Sequence, residues 1–285
     1  MEWPIRVAYG LCRTLPYRAA AAGAEKFAPL AAQLSPPARR AAVRANLALV
    51  LGDARPELDA LAGECFRSFV RYLVDFFSLD RADWNFTVSG KEHLEAARHG
   101  GRGAILLTAH LGNWELGGAV IRRLGYPITA VAWPHPDRRL NEIFEAQRRR
   151  FGIEAIPLNG NSARECLEKL RAGSFVGLLG DRLYGTRSIG AVFAGRRLAF
   201  PVGPAWLSRR ARVPVLPAFC IRKAAAVFEL HIHEPIFPER ASETTGLEQL
   251  TQQYVRVIES QVRAYPGQWL IFHDIAVETV ESGNK

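Results

Sequence analysis

Five short runs of apolar residues punctuate the chain after residue 84, at 104–109, 128–133, 154–158, 175–179 and 213–218. The first is continuously apolar and flanked by glycine-rich sequence, the pattern of a strand covered on both faces. Between them lie stretches with helical spacing, such as 138–150 and 162–172, and a last helix is expected over 247–264, leading to 268–273. Strands alternating with helices predict an α/β fold, a mostly parallel central sheet flanked by helices. Residues 227–233 alternate polar and apolar and read as an added edge strand.

Upstream of about residue 80 the period is helical throughout. Pro36-Pro37 marks a helix start, and Val43, Leu47, Val50 and Leu51 follow at helical spacing. A second helix over 57–77 places Leu61, Cys65, Phe69, Tyr72, Leu73 and Phe76 largely on one side. The expected organisation is therefore an N-terminal helical segment, 1–80, followed by an α/β domain, 81–285.

Of the 285 residues 48% are hydrophobic, enough for a substantial core, and no internal repeat or low-complexity linker interrupts them. The formal charge of +9, mostly arginine, implies an anionic partner. Cys12, Cys65, Cys166 and Cys220 form no CxxC, so neither a zinc site nor a disulfide framework is indicated, and a reducing, cytosolic side is the simplest setting. No window holds eighteen uncharged apolar residues. Near the N-terminus Arg6, Arg13 and Arg18 interleave with Ile5, Val7, Tyr9, Leu11 and Leu15, which fits an interfacial helix on an anionic membrane or ordinary packing equally well.

The stretch 104–118 carries the candidate chemistry. His110 stands where the first apolar run ends, Asn113 is a good helix N-cap, and Glu115 falls in the first turn of a helix reaching about Leu124. On one continuous helix, positions five apart lie about 140° apart. A tight corner at Gly112 removes that obstacle and lets His110 and Glu115 touch, which would fix the imidazole tautomer and suit His110 to take a proton from an alcohol. The plainer alternative is a helix-start carboxylate beside an ordinary loop histidine. Ligands of open α/β sheets sit beyond the carboxyl ends of the strands, so His110, Trp133, His135, Asp181 and Arg182 should share a rim.

No P-loop, GxGxxG, GxSxG or HExxH motif is present, and His231 and His233 read as structural. The wording HLGNWELGG, preceded by Thr108, resembles the H-x4-D/E block of the lysophospholipid acyltransferase superfamily, and most resembles its branch of bacterial lipid A late acyltransferases. Further blocks agree in order: 144–152 with Arg148 and Arg150, then Gly180-Asp181-Arg182 followed by Gly185, then 193–204 and 213–217. The likeness covers roughly 90–273.

That resemblance implies transfer of a fatty acyl group from an acyl-carrier-protein or coenzyme A thioester to a hydroxyl of a membrane lipid or lipid A-like glycolipid. His110 would be the general base and Glu115 its orienting carboxylate. Arg148, Arg150, Asp181, Arg182 and Asn113 would bind substrate. No metal or resident cofactor is implied, and no nucleic-acid partner; the enzyme would sit peripherally on the cytoplasmic face of the inner membrane. Leu183 and His273-Asp274-Ile275 depart from the branch's pattern, which leaves glycolipids, phosphatidylinositol mannosides and an aryl polyene lipid open as acceptors. Two other classes compete, a non-catalytic lipid-binding protein of the membrane surface and a glycosyltransferase.

Overall fold

The computed structural model describes residues 3–184, 187–239 and 243–277. Four helices come first: α1 (Trp3–Thr14), α2 (Tyr17–Leu34), α3 (Pro37–Leu51) and α4 (Leu58–Phe77). Pro37 opens α3 at the position where its missing N–H costs nothing. The long α4 turns Leu58, Ala62, Cys65, Phe66, Tyr72, Leu73, Phe76 and Phe77 inward, whereas Leu61 and Phe69 are only half-buried.

The remainder alternates β1 (Asn85–Ser89), α5 (Glu92–Ala97), β2 (Ile105–Thr108), α6 (Trp114–Arg123), β3 (Ile128–Ala132), α7 (Arg138–Arg150), β4 (Glu154–Pro157), α8 (Ser162–Arg171) and β5 (Phe175–Leu179). It continues through β6 (Ser188–Phe193), β7 (Arg196–Pro201), α9 (Gly203–Ala211), β8 (Val215–Ala224), β9 (Val227–Ile232) and α10 (Glu243–Ala264). Seven strands make one sheet in the order β1-β9-β8-β2-β5-β3-β4, parallel at every pairing except β8 with β9. This is the expected mostly parallel sheet. Its central strands lack polar alternation because both faces are covered: Ile105 and Leu107 enter one core cluster and Leu106 the other.

Two features differ from the expectation. The strand expected over 227–233 is not at an edge, because β8 runs on to Ala224 and the chain folds back through Ala226 (φ 57°), so β9 lies between β8 and β1. The outer strand is instead β1, whose residues are only exposed or half-buried and carry little apolar signal. The block at 193–204 contains a separate antiparallel hairpin of β6 and β7, turned through Ala194 and Gly195 at φ 52° and 77°. Positive φ at both residues matches the right-handed twist of the flanking strands.

The N-terminal helices pack on α7 and the segment after α10, with Tyr17, Ala20, Phe76, Phe77, Phe144 and Leu270 in one cluster. A polar clamp ties them to β8. The Tyr17 hydroxyl donates to Asp75 Oδ1 (2.9 Å) and accepts the Ala226 N–H (3.0 Å), while Arg222 Nε donates to Asp75 Oδ2 (3.0 Å). Burial pushes the Asp75 carboxyl up to about 6 against the pull of Arg222. No helix among the described residues is long and apolar enough to cross a membrane. Val7 and Leu11 on α1, and Phe27, Leu30 and Leu34 on α2, nevertheless stand exposed.

Candidate active site

Strand register builds the site. β2 pairs in parallel with β5 from Ile105↔Val176 to Thr108↔Leu179. Two residues beyond each strand end, the same register sets His110 against Asp181. The imidazole Nδ1 lies 2.8 Å from Asp181 Oδ1, and the His110 backbone N–H donates to Oδ2 (2.9 Å). Trp269 Nε1 also donates to Oδ2 (3.0 Å).

Asp181 is buried, which by itself would raise its carboxyl. The charge of His110 and the hydrogen bonds from His110 and Trp269 outweigh burial and hold it below the usual carboxylate range. An ionised carboxylate can only accept, so Nδ1 is the donor to Asp181, and Nε2 is the ring nitrogen left to exchange a proton with a ligand. The Trp114 ring stands edge-on to the imidazole with centroids 5.2 Å apart.

The corner after His110 needs a glycine. Gly112 has φ 65°, and a Cβ there would stand 2.1 Å from the Cys220 carbonyl oxygen. The turn is tied down by the Gly112 N–H to Gln268 O (3.0 Å), the Asn113 N–H to Cys220 O (2.8 Å) and the Leu270 N–H to His110 O (2.6 Å). Asn113 Oδ1 accepts the Leu116 N–H (3.2 Å) and caps α6 as expected.

The carboxylate partner expected for His110 is not the one found. Both Glu115 oxygens face Arg148 of α7, with Nε 3.2 Å from Oε1 and 3.1 Å from Oε2, and Nη2 2.5 Å from Oε1. A guanidinium fork matches a carboxylate edge, so Arg148 occupies the acceptor capacity that His110 would have needed. Burial would lower the Arg148 pKa, but the adjacent Glu115 charge overrides it and raises it. Glu115→Ala therefore leaves a buried guanidinium unpaired and is expected to cost about 3–5 kcal/mol in chemical denaturation, part of it recovered in the double variant Glu115→Ala/Arg148→Ala.

His110, Thr108, Trp114, Glu115 and Arg148 line one continuous groove of about 2550 Å³. The groove passes through a split in the sheet. β3 and β5 pair only from Ile128↔Phe175 to Ala130↔Gly177; beyond that, β3 stays with β4 as far as Ala132↔Pro157, and β5 stays with β2. Gly177, Ala130, Leu178 and Cys166 line the groove beside this split, and Phe27, Leu30, Leu34, Phe69 and Phe272 line it beside the N-terminal helices.

Trp133, His135 and Arg182 share the groove, as their places after strands predicted. Trp133 stacks on Tyr184 (5.2 Å), and the Arg182 guanidinium lies 4.9 Å from the same ring. Burial, then the Arg148 charge, lowers the His135 pKa. Three expected substrate-binding residues are absent from the lining: Arg150, Asn113 and Asp181, the last buried against His110. Arg150 turns away to Asp80 Oδ2 (3.2 Å) and Gln147. Asn113 is buried, its oxygen spent on the cap and its Nδ2 directed at Tyr72 O (3.4 Å). Gly185 lies outside the described residues.

Trp269 had no local signal, since its role depends on 268–273 folding back over β2 through the Leu111↔Trp269 bridge. Among the described residues no group of three or more His, Cys, Asp or Glu is arranged to hold a metal ion. All four cysteines are buried and free.

The chain is 26% identical over 243 residues to a phosphatidylinositol mannoside acyltransferase of Mycolicibacterium smegmatis, covering 80% of this chain and 76% of the relative. It is 28% identical over 244 residues to a lipid A biosynthesis palmitoleoyltransferase of Escherichia coli, covering 82% and 78%. The crystal structure of a 1-acyl-sn-glycerophosphate acyltransferase from Thermotoga maritima aligns with a TM-score of 0.39 at 18% identity, over 79% of this chain and 98% of that one. The family model described as bacterial lipid A biosynthesis acyltransferase matches residues 2–275, and the chain belongs to that family.

Proposed function

We propose that this lipid acyltransferase moves a fatty acyl group from an acyl thioester, carried by acyl carrier protein or coenzyme A, to a hydroxyl of a membrane glycolipid, with His110 as general base. The observation that carries this reading is a single one: an imidazole with Nδ1 spent on buried Asp181 and Nε2 free, set in a long apolar groove. Nε2 takes the proton of the acceptor hydroxyl as its oxygen attacks the thioester carbon. Collapse of the tetrahedral intermediate breaks the C–S bond, and the departing thiolate takes the proton back from His110. No covalent enzyme intermediate is needed. Asp181 holds the tautomer and stabilises the imidazolium that forms between the two transfers.

The groove suits the substrates. An acyl chain needs a dry, extended channel, and the passage between β3 and β5 is walled by Ala130, Gly177, Leu178 and Cys166. The acceptor's own tails fit beside Phe27, Leu30 and Leu34, which line the same groove, stand exposed on the surface and, with the formal charge of +9, favour peripheral docking on the anionic cytoplasmic face of the inner membrane. Arg182, and Arg148 braced by Glu115, place positive charge where an acceptor phosphate would lie. Relatives named for phosphatidylinositol mannoside and lipid A support a lipid acceptor. Membership of an acyltransferase family sets aside the non-catalytic and glycosyltransferase readings.

The test is to incubate the purified protein and a total bacterial lipid extract with radiolabelled acyl carrier protein and acyl-coenzyme A thioesters in parallel. A labelled lipid is expected from one or both donors, and mass spectrometry of it identifies the acceptor. No labelled lipid from either donor would overturn the thioester reading.

A further inference from the structure

Attack on a thioester carbonyl places a full negative charge on its oxygen, and a site shielded from water must supply hydrogen bonds to it. Around His110 most donors are already engaged. The backbone N–H groups of His110, Gly112, Asn113, Gly180 and Leu270 donate to Asp181, Gln268, Cys220, Thr108 and His110 respectively. The Trp269 indole serves Asp181, and the Arg148 fork serves Glu115. One hydroxyl beside them is unengaged. Thr108 Oγ1 is buried, has no hydrogen-bond partner, and belongs to a residue that lines the groove with His110.

Its position is fixed on two counts. Thr108 closes β2 on the same face as Leu106, and both residues line the groove together with His110. Its carbonyl accepts the Gly180 N–H (2.8 Å), which pins this strand end to the segment carrying Asp181. Leaving a buried hydroxyl unsatisfied is costly, and a valine of the same shape would pack there more cheaply. A fold that keeps the hydroxyl keeps a donor whose hydrogen is free to rotate onto a ligand.

We propose that Thr108 is a catalytic residue, the hydrogen-bond donor to the carbonyl oxygen of the acyl donor as it becomes an oxyanion. The inference rests on the acyl-transfer reading above. As the acceptor oxygen bonds to the carbonyl carbon and His110 Nε2 takes its proton, the carbonyl π pair moves onto oxygen, and the Thr108 O–H donates to it without giving up its proton. When the C–S bond breaks, the pair returns, the ester carbonyl forms, and the thiolate leaves with the proton from His110.

The test compares Thr108→Val, which keeps the shape and loses the donor, with Thr108→Ser, which keeps the donor. For Thr108→Val, kcat for transfer is expected to fall about a hundredfold. KM for the lipid acceptor should be unchanged, and the thermal midpoint unchanged or higher. Thr108→Ser should stay within a few-fold of the wild type. The proposal is overturned if Thr108→Val keeps kcat within threefold, if its defect is a raised acceptor KM at normal kcat, or if it melts earlier and Thr108→Ser does not restore the rate. A wild-type protein inactive with both thioesters would instead overturn the acyl-transfer reading, so the two failures are distinct.

Discussion

His110→Ala is expected to lower kcat for acyl transfer by about 10⁴-fold or more while leaving the protein folded. The imidazole acts only when a proton moves, so the loss falls on kcat and not on KM. The fold survives because Asp181 keeps two of its three hydrogen bonds, from Trp269 Nε1 and from the backbone N–H of residue 110. Steady-state transfer from a labelled thioester, alongside thermal unfolding of both proteins, checks both halves. A folded variant within tenfold of the wild type would show that some other group takes the proton.

Asp181→Asn is expected to cost about 10³–10⁴-fold in kcat although the substitution is nearly isosteric. The reason lies in how the carboxylate is used. Asp181 Oδ2 accepts two N–H groups, from Trp269 and from the His110 backbone, so in the variant the amide oxygen must take that place. The –NH₂ then faces His110 Nδ1 at the 2.8 Å position now held by Oδ1. A donor there forces the imidazole proton onto Nε2, and the nitrogen facing the groove ceases to be a base. Transfer rates of Asp181→Asn and wild type over a range of pH check this, and a variant restored to wild-type kcat at any pH above neutral would argue against the tautomer account.

The fold was legible in proportion to how local its signals are. Apolar runs marked β2, β3 and β5 because strands inside the sheet need few polar positions, a shorter run marked the edge strand β4, and the period of Val43, Leu47 and Val50 marked a helix of the N-terminal segment. The strand β1 escaped because its residues are at most half-buried. Placement of β9 depended on where β8 ends, which no residue within β9 encodes.

In the candidate site, His110 stood out because a polar residue ended an apolar run. Its carboxylate partner did not, because Asp181 lies 71 residues away and reaches it only through the pairing of β2 with β5. Glu115 was the attractive local choice. The Gly112 corner does form, but Arg148 arrives from α7 with a fork that matches the Glu115 carboxylate better than one imidazole nitrogen does. The resemblance implies substrate roles for Asn113 and Arg150, yet their side chains are consumed by a helix cap and by Asp80.

The pairing of His110 with Asp181 is tested most directly by heteronuclear NMR of the imidazole nitrogens in the folded protein. At neutral pH the wild type should show His110 protonated at Nδ1, with a strongly downfield, exchange-protected proton, and a bare Nε2. That signal should vanish in Asp181→Asn, with the proton appearing on Nε2, and should persist in Glu115→Gln. A wild-type His110 protonated at Nε2, or a Nδ1 proton that survives Asp181→Asn and is lost in Glu115→Gln, would contradict the assignment of the base and its partner.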